Sequence, residues 1–127
     1  MLKRLTPNLM VNNVNQTAAY YRDILGFEVV STVPEKGPYD WAMVKRGEVA
    51  IMFQTVSSLT GAVNQLSGRA VGGSGTIYID VDHVEKLYEE LEEKVEIVSD
   101  LDTTFYGTNE FTIMDLNGYV LTFAGDA

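Results

Sequence analysis

Hydrophobic and polar residues form short patterned stretches along the chain, either alternating or rich in β-branched residues, and such stretches predict β-strands. In the first of them, Leu5, Leu9 and Val11 fall on one side, and Thr6 and Asn8 fall on the other. This arrangement is typical of a half-buried strand. The predicted strands cover residues 5–11, 27–33, 40–45 and 49–55 in the first half, and residues 76–81, 96–99, 110–115 and 119–124 in the second.

Two other stretches have the three- and four-residue spacing of amphipathic helices. Asn13, followed three residues later by Gln16, predicts the N-cap of the first helix, and Gly26 predicts its end. Asp82, followed by Glu85, predicts the N-cap of the second helix. The apolar stripes of the two helices are Val14, Ala18, Tyr21 and Leu25, and then Val84, Leu87, Tyr88, Leu91 and Val95.

Turn and linker signals separate these elements. Asn117-Gly118 predicts a two-residue hairpin of type I′, in which both central residues have positive φ. Residues 100–109 are predicted to form a loop, and Arg46-Gly47 joins two strands. Glycine and serine are frequent in residues 56–75, which predicts a linker with at most a helical turn at residues 62–66.

The order of the predicted elements repeats, and the repeat is visible in the residues. Val11 and Val81 begin matching segments 70 positions apart, and Phe27 and Val95 begin matching segments 68 positions apart. Internal repetition constrains a fold strongly. The sequence therefore predicts an α+β fold in one domain, residues 1–127, with repeat one at 3–55, a linker at 56–75 and repeat two at 76–125. Each βαβββ repeat is expected to form a four-stranded curved sheet with a helix on one face, and the two are expected to pair around a shared cleft.

Composition narrows the possible partners. The chain has 18 acidic and 9 basic residues and a net charge of −9, which disfavours nucleic acid and favours cationic small molecules. It has no cysteine, so thiolate metal sites and disulfides are excluded, and a reducing cytoplasm is the expected location. No apolar run approaches the length of a membrane span, so no membrane partner is expected.

Several motifs carry a resemblance to a known superfamily. Residues 9–14 (Leu-Met-Val-Asn-Asn-Val), residues 20–27 (Tyr-Tyr-Arg-Asp-Ile-Leu-Gly-Phe) and the closing hairpin at residues 110–121 resemble the vicinal oxygen chelate superfamily, which includes glyoxalases, dioxygenases and bleomycin-resistance proteins. Members of this superfamily commonly have an Asp-Pro-Asp/Asn-Gly turn in the closing hairpin. In this chain Leu116 stands at the position of the proline. The resemblance implies the paired βαβββ fold and often a homodimer.

The resemblance also implies four metal-ligand positions, and none of them holds a usual ligand. A shift of two residues would place Asn8, Gln54, Tyr78 or Ala124 there, and none of these is a histidine or a carboxylate. The single histidine, His83, matches the start of a helix instead. The sequence therefore predicts a protein without a metal, without a cofactor and without catalytic residues. The four implied positions are Thr6, Met52, Thr76 and Thr122.

Residues 106–111 resemble the Trp/Tyr-Gly-x-x-Glu-Phe run of the metal-free, bleomycin-resistance-like branch. This implies a protein that sequesters a cationic or aromatic ligand in an acidic cleft and that could confer antibiotic resistance in this way. Aromatic rings can stack on such a ligand and carboxylates can hold its charge. The candidate ligand-binding residues are Tyr39, Trp41, Met52, Tyr78, Asp80, Phe105, Tyr106, Glu110 and Thr122.

Two alternatives remain open at this point. The protein could be a lyase or dioxygenase of the same superfamily with atypical metal ligands, for example Gln54 together with carboxylates from loops. It could also be a structural or regulatory module whose cleft is filled by its own side chains. Some candidate residues also have a simpler interpretation. Trp41 and Met52, with Met43 nearby, could pack in the core, and Asp80 and Glu110 could be solvated carboxylates at a strand end.

Overall fold

Each half of the chain folds into a four-stranded mixed sheet with an α-helix against one face. The computed structural model describes residues 1–126 and divides the chain into two units, residues 1–71 and the residues from Gly72 onward. Both units follow the same β-α-β-β-β order. The predicted α+β class with a repeated βαβββ unit is confirmed.

In the first unit, β1 is parallel to β4, and the other strand pairs are antiparallel, so the strand order is β1-β4-β3-β2. After β4 the chain continues into a second helix and a short 3-10 turn at Asn64–Leu66. The elements are β1 (Asn8–Val11), α1 (Val14–Asp23), β2 (Glu28–Val33), β3 (Trp41–Arg46), β4 (Val49–Thr55) and α2 (Val56–Ala62).

Helix α1 begins and ends where the sequence predicts. The Oδ1 atom of Asn13 accepts a hydrogen bond of 3.0 Å from the backbone N–H of Gln16, and Gly26 follows the helix with a φ of 74°. The buried ring of Tyr21 packs against Phe27 and Phe53, with ring centroids 5.5 and 4.7 Å away. This aromatic cluster attaches α1 to one face of the first sheet.

The second unit repeats this plan with the strand order β5-β8-β7-β6, in which β5 is parallel to β8. The ring of Tyr88 on its helix contacts Phe111, which stacks on Phe123, so these three rings form the core beneath that helix. The elements are β5 (Thr76–Asp80), α3 (Val84–Leu91), β6 (Glu96–Thr103), β7 (Thr108–Met114) and β8 (Val120–Asp126). Among residues 1–126, no helix is long and apolar enough to cross a membrane.

Two predicted element starts are wrong. The first strand begins at Asn8 and not at Leu5, whose side chain is exposed. The N-cap of α3 is His83 and not Asp82, and no side-chain cap hydrogen bond accompanies it. The helix also ends at Leu91, so Val95, which the spacing predicts to belong to its apolar stripe, lies beyond it.

The predicted linker at residues 56–75 contains more structure than expected. Its first part is α2, which Thr55 caps by accepting a hydrogen bond of 3.3 Å from the backbone N–H of Ser58. Leu59 is buried, and α2 contacts β4 and β1. The serine and glycine content suggested a linker, but a threonine cap and one buried leucine outweigh that weak local preference.

The loop predicted at residues 100–109 is also wrong. β6 continues to Thr103 and β7 starts at Thr108, so only a tight turn remains between them. Thr104 N–H donates to the carbonyl of Thr108 over 2.8 Å, and Gly107 has a φ of 91°. Two register shifts in β6 interrupt its side-chain alternation, which explains why the pattern predicts a shorter strand.

The closing hairpin does not contain a type I′ turn. Among residues 115–119 only Gly118 has positive φ, 89°, and its N–H donates to the carbonyl of Asp115 over 3.1 Å. The buried Asp115 also accepts hydrogen bonds at Oδ1 from the backbone N–H groups of Asn117 and Tyr119, at 2.8 and 2.9 Å. This is a type I turn followed by a glycine bulge, and the aspartate side chain holds it closed.

The edge strands β2 and β6 each contain a register shift near their start. In β2 the shift lies between Val29 and Ser31, and in β6 it lies between Ile97 and Ser99. Such a bulge places an extra residue in one strand and increases its twist.

Candidate functional site

The face of the second sheet that points away from α3 carries most of the polar candidates. Phe111 and Phe123 point toward α3, so their strand neighbours point the other way. The strand register then places six side chains in two rows across β5, β8 and β7. The rows are Tyr78, Thr122 and Thr112, and Asp80, Ala124 and Glu110.

Glu110 is the centre of a hydrogen-bond cluster on this face. Its Oε2 atom accepts from Tyr78 Oη at 2.6 Å, from Tyr106 Oη at 3.0 Å and from Thr108 Oγ1 at 2.9 Å. The side chains come from β5, the β6–β7 turn and β7. Glu110, Tyr78 and Tyr106 are separate candidates in the sequence, and the structure brings them together. Thr108 is not among the candidates, although a position two residues from Glu110 on one strand shares its face.

The three hydroxyl donors stabilise the ionised carboxylate. The hydrogen bond from Tyr78, followed by those from Thr108 and Tyr106, lowers the pKa of Glu110, although partial burial opposes this shift. The same bond raises the pKa of Tyr78 to about 12, and hydrogen bonding to Glu110 also raises the pKa of Tyr106. At neutral pH the cluster therefore holds one negative charge between two neutral phenols.

The tip of the β6–β7 turn presents an aromatic surface next to this charge. Phe105 is fully exposed, and its ring meets the ring of Tyr106 edge to face, with centroids 5.0 Å apart. Tyr78 and Tyr106 are also more than half exposed. Because the side chain of Phe105 is exposed, this tip can contact another molecule.

An acidic groove of about 420 Å³ lies at the same end of the second sheet. Asp80 lines it and shares a row with Glu110, separated by Ala124. A Cβ atom at Gly125 would lie 2.8 Å from the carbonyl oxygen of Val81, so only glycine fits there. Asp82 and Asp126 also line it, and neither is a binding candidate from the sequence. The groove is lined by Asp80, Val81, Asp82, Thr108, Ala124, Gly125 and Asp126.

The face of the first sheet that points away from α1 has a different chemistry. Phe53 packs against Tyr21 of α1, so Met52 and Gln54 point the other way. The register aligns Asn8, Met52 and Met43 in one row and Met10, Gln54 and Trp41 in the next. Trp41 and Met52, two candidates from the sequence, therefore share this face, which carries no formal charge at these six positions.

Tyr39 lies outside β3, in the loop before it. Its backbone N–H donates to Asn15 Oδ1 over 2.8 Å, and its side chain is half-buried. Gln54, considered above as an atypical metal ligand, has its amide engaged on both sides. Asn8 Nδ2 donates to Gln54 Oε1, and Gln54 Nε2 donates to Ser58 Oγ, each over 2.8 Å.

The four positions implied for a metal do not fit one. Thr122 is buried and its hydroxyl is 2.9 Å from that of Thr112, while Thr76 is exposed at the start of β5. Thr6 precedes β1, and Met52 offers only a thioether. Within residues 1–126, no three His, Cys, Asp or Glu side chains come together in a way that could hold a metal ion. His83 is exposed.

These features match a known class of proteins. The family model described as the Glyoxalase/Bleomycin resistance protein/Dioxygenase superfamily matches residues 3–123. The chain therefore belongs to this superfamily, and the resemblance stated from its motifs is confirmed. None of the curated protein sequences compared with the chain matches it.

Solved structures show the same fold at low sequence identity. TioX from Micromonospora sp. ML1 has a TM-score of 0.78 and 15% identity, covering 98% of this chain and 99% of that one. A protein from Agrobacterium tumefaciens str. C58 has a TM-score of 0.80 and 17% identity, covering 100% and 96%. The bleomycin-binding protein from Streptomyces verticillus, solved with copper(II)-bleomycin, has a TM-score of 0.67 and 22% identity, covering 100% of both chains.

Proposed function

We propose that this protein is a metal-free small-molecule-binding protein that sequesters a cationic or aromatic ligand. The observation that carries the proposal is the Glu110 cluster. Its carboxylate is kept ionised by three hydroxyl donors and stands between two exposed tyrosine rings. A cation is attracted both by a carboxylate and by the face of an aromatic ring.

The two oxygens of Glu110 have different roles in this proposal. Oε2 accepts all three hydrogen bonds, which orient the carboxylate before a ligand arrives. Oε1 is the oxygen that accepts from the ligand's cationic N–H. Phe105, at the tip of the same turn, stacks on a flat part of the ligand. The net charge of −9 attracts such a ligand from a distance.

The proposal agrees with what is known of one structural neighbour. The Streptomyces verticillus protein binds bleomycin, and its likeness to this chain lies in the fold. We infer a corresponding role here, in which holding a drug-like cation keeps it from its target and so confers resistance to an antibiotic. We also infer that the protein acts as a homodimer in the cytoplasm.

The test is a titration with metal-free bleomycin, measured by calorimetry. We expect saturable binding that weakens as salt is raised, because salt screens the attraction between charges. The Glu110→Gln variant keeps the side-chain shape and removes the charge. It should bind about tenfold more weakly, since a charge-assisted hydrogen bond is lost.

The matched control is Glu96→Gln, which removes the same charge from an exposed position on β6. It should change the affinity by less than about twofold, as expected for a distant, screened charge. The proposal is overturned if the wild-type protein shows no saturable binding. It is also overturned if both variants lose the same affinity, because net charge alone would then explain the binding.

A further inference from the structure

A chain of side-chain hydrogen bonds joins β1, β4 and α2 and ends on an unpaired oxygen. Asn8 Nδ2 donates to Gln54 Oε1, and Gln54 Nε2 donates to Ser58 Oγ, each over 2.8 Å. Asn8 Oδ1 stands at the free end of this chain. It is buried, and within residues 1–126 it accepts no hydrogen bond.

An oxygen in this condition is unusual. Buried polar atoms in folded proteins nearly always have a hydrogen-bond partner, because losing water without replacing it is unfavourable. If Asn8 alone turned its amide, its oxygen would face Gln54 Oε1 and the hydrogen bond between the two side chains would be lost. The position therefore has an acceptor that a donor from another molecule can satisfy.

The surroundings of Asn8 define what that molecule looks like. Its neighbour across the strand pair is Met52, followed by Met43, and the next row contains Met10 and Trp41. Methionine side chains are unbranched and polarizable, adapt to the shape of a ligand, and make favourable contacts with aromatic rings. They can also change rotamer and so open a path to Asn8 Oδ1.

We propose that this face of the first sheet is a second binding site, for a neutral, flat heteroaromatic ring that donates an N–H to Asn8. The ring packs among the methionines and Trp41, and its N–H completes the chain through Asn8 and Gln54 to Ser58. Charge plays no part in this recognition, because none of the six residues that form the site is charged, and Lys45 lies on the same face one row beyond Met43. The inference goes beyond the proposed function, since it concerns another sheet, other residues and another ligand chemistry.

The experiment compares two probes that differ in one group. 2-Quinolone has a ring N–H next to its carbonyl, and N-methyl-2-quinolone has the same ring without that donor. Binding is followed by NMR of methionine methyl groups labelled with ¹³C. The chain has five methionines, and we expect the methyl signals of Met10, Met43 and Met52 to shift on titration. Met1 and Met114 serve as internal controls.

The wild-type protein should bind 2-quinolone about fivefold to tenfold more tightly than its N-methyl form, as expected for one hydrogen bond to a buried acceptor. In Asn8→Leu the two probes should bind equally. In Asn8→Asp, which retains an acceptor oxygen, the preference for the N–H probe should persist. Asn12→Leu, at an exposed position just after the same strand, should behave as wild type.

The proposal is overturned by three results: no binding of either probe, equal affinity of the two probes for the wild-type protein, or a preference that survives in Asn8→Leu. Glu110→Gln separates this site from the cation site. We expect it to leave the quinolone preference unchanged while it weakens bleomycin binding. A loss of both bindings in Glu110→Gln would contradict the independence of the two sites.

Discussion

The two repeats share their backbone plan and differ in the chemistry of one sheet face. On the faces that contact α1 and α3, matched positions are apolar in both repeats, for example Phe53 and Phe123. On the opposite faces, the strand register gives six pairs of equivalent positions, with one residue of each pair in each repeat. No pair has the same residue type in both repeats. The pairs are Asn8 and Tyr78, Met10 and Asp80, Met52 and Thr122, Gln54 and Ala124, Trp41 and Glu110, and Met43 and Thr112.

This difference shows which constraints act on each face. A face that must bury a helix has to remain apolar and closely packed, because a polar group there would be unpaired. The opposite face has no such requirement, so its residues can diverge. One repeat has methionines, a tryptophan and an amide chain, and the other has a carboxylate with phenols. The position of Trp41 in one is the position of Glu110 in the other.

The largest effect we expect concerns the helix-facing sides, where the two repeats should respond unequally. Tyr21→Ala removes a fully buried ring that contacts three other rings, and should lower the free energy of unfolding by about 3–5 kcal/mol. Tyr88→Ala removes a half-buried ring and should cost about 1–3 kcal/mol. Urea denaturation measures both. Equal losses would show that α3 is attached as firmly as α1.

The next effect distinguishes the hairpins that close the two sheets. Gly47, with φ of 58°, starts a two-residue turn in the first sheet, whereas the second uses the longer turn that Asp115 closes. Gly118→Ala should cost about 1–2 kcal/mol, because a Cβ is unfavourable at positive φ. Asn117→Ala should change stability by less than about 0.5 kcal/mol. Thermal unfolding measures both, and equal losses would favour a type I′ turn.

The smallest effect is the pH dependence that the Glu110 cluster gives to the second repeat. The pKa of Tyr78 is about 12 in the folded protein and about 10 when unfolded, so its contribution to stability is complete below pH 10 and is lost as the pH rises toward 12. The pKa of Glu110 is lowered, so its contribution is complete above the unfolded value of about 4.3 and is lost as the pH falls through the folded value.

Ultraviolet absorbance of tyrosinate measures the alkaline part. The difference between wild type and Tyr78→Phe isolates one of the seven tyrosines and should titrate near pH 12. In Glu110→Gln the titration of Tyr78 should move down toward its ordinary value, because the main cause of the shift is removed. An unchanged titration in Glu110→Gln would mean that burial, and not the hydrogen bond, raises this pKa.

Much of the fold can be predicted from the sequence, because strand alternation and the Asn13 cap depend on neighbouring residues and the internal repeat is visible in the residues themselves. The errors also have local causes. The bulges of β6 break its alternation, and Leu59 stabilises a helix in a stretch with weak helix preference. The turn at Asp115 depends on a side chain that competes with the preference of Asn117-Gly118.

The candidate site is predicted only in part. Glu110, Tyr78 and Tyr106 can be named from their strands and loop, but their meeting on one oxygen depends on the register of β5, β8 and β7. Sequence spacing does not give that register. The amide chain from Asn8 to Ser58 is harder still, because it depends on a parallel strand pair formed by residues 46 positions apart.

The bulges in β2 and β6 have a consequence for the history of the chain. They occur between Val29 and Ser31 and between Ile97 and Ser99, which are matched positions of the two repeats. An inserted residue at the same point of two strands requires two separate events if the repeats arose independently, and one if a single ancestral unit was duplicated. The matched positions of the two bulges are therefore what the duplication of one half-length unit would produce.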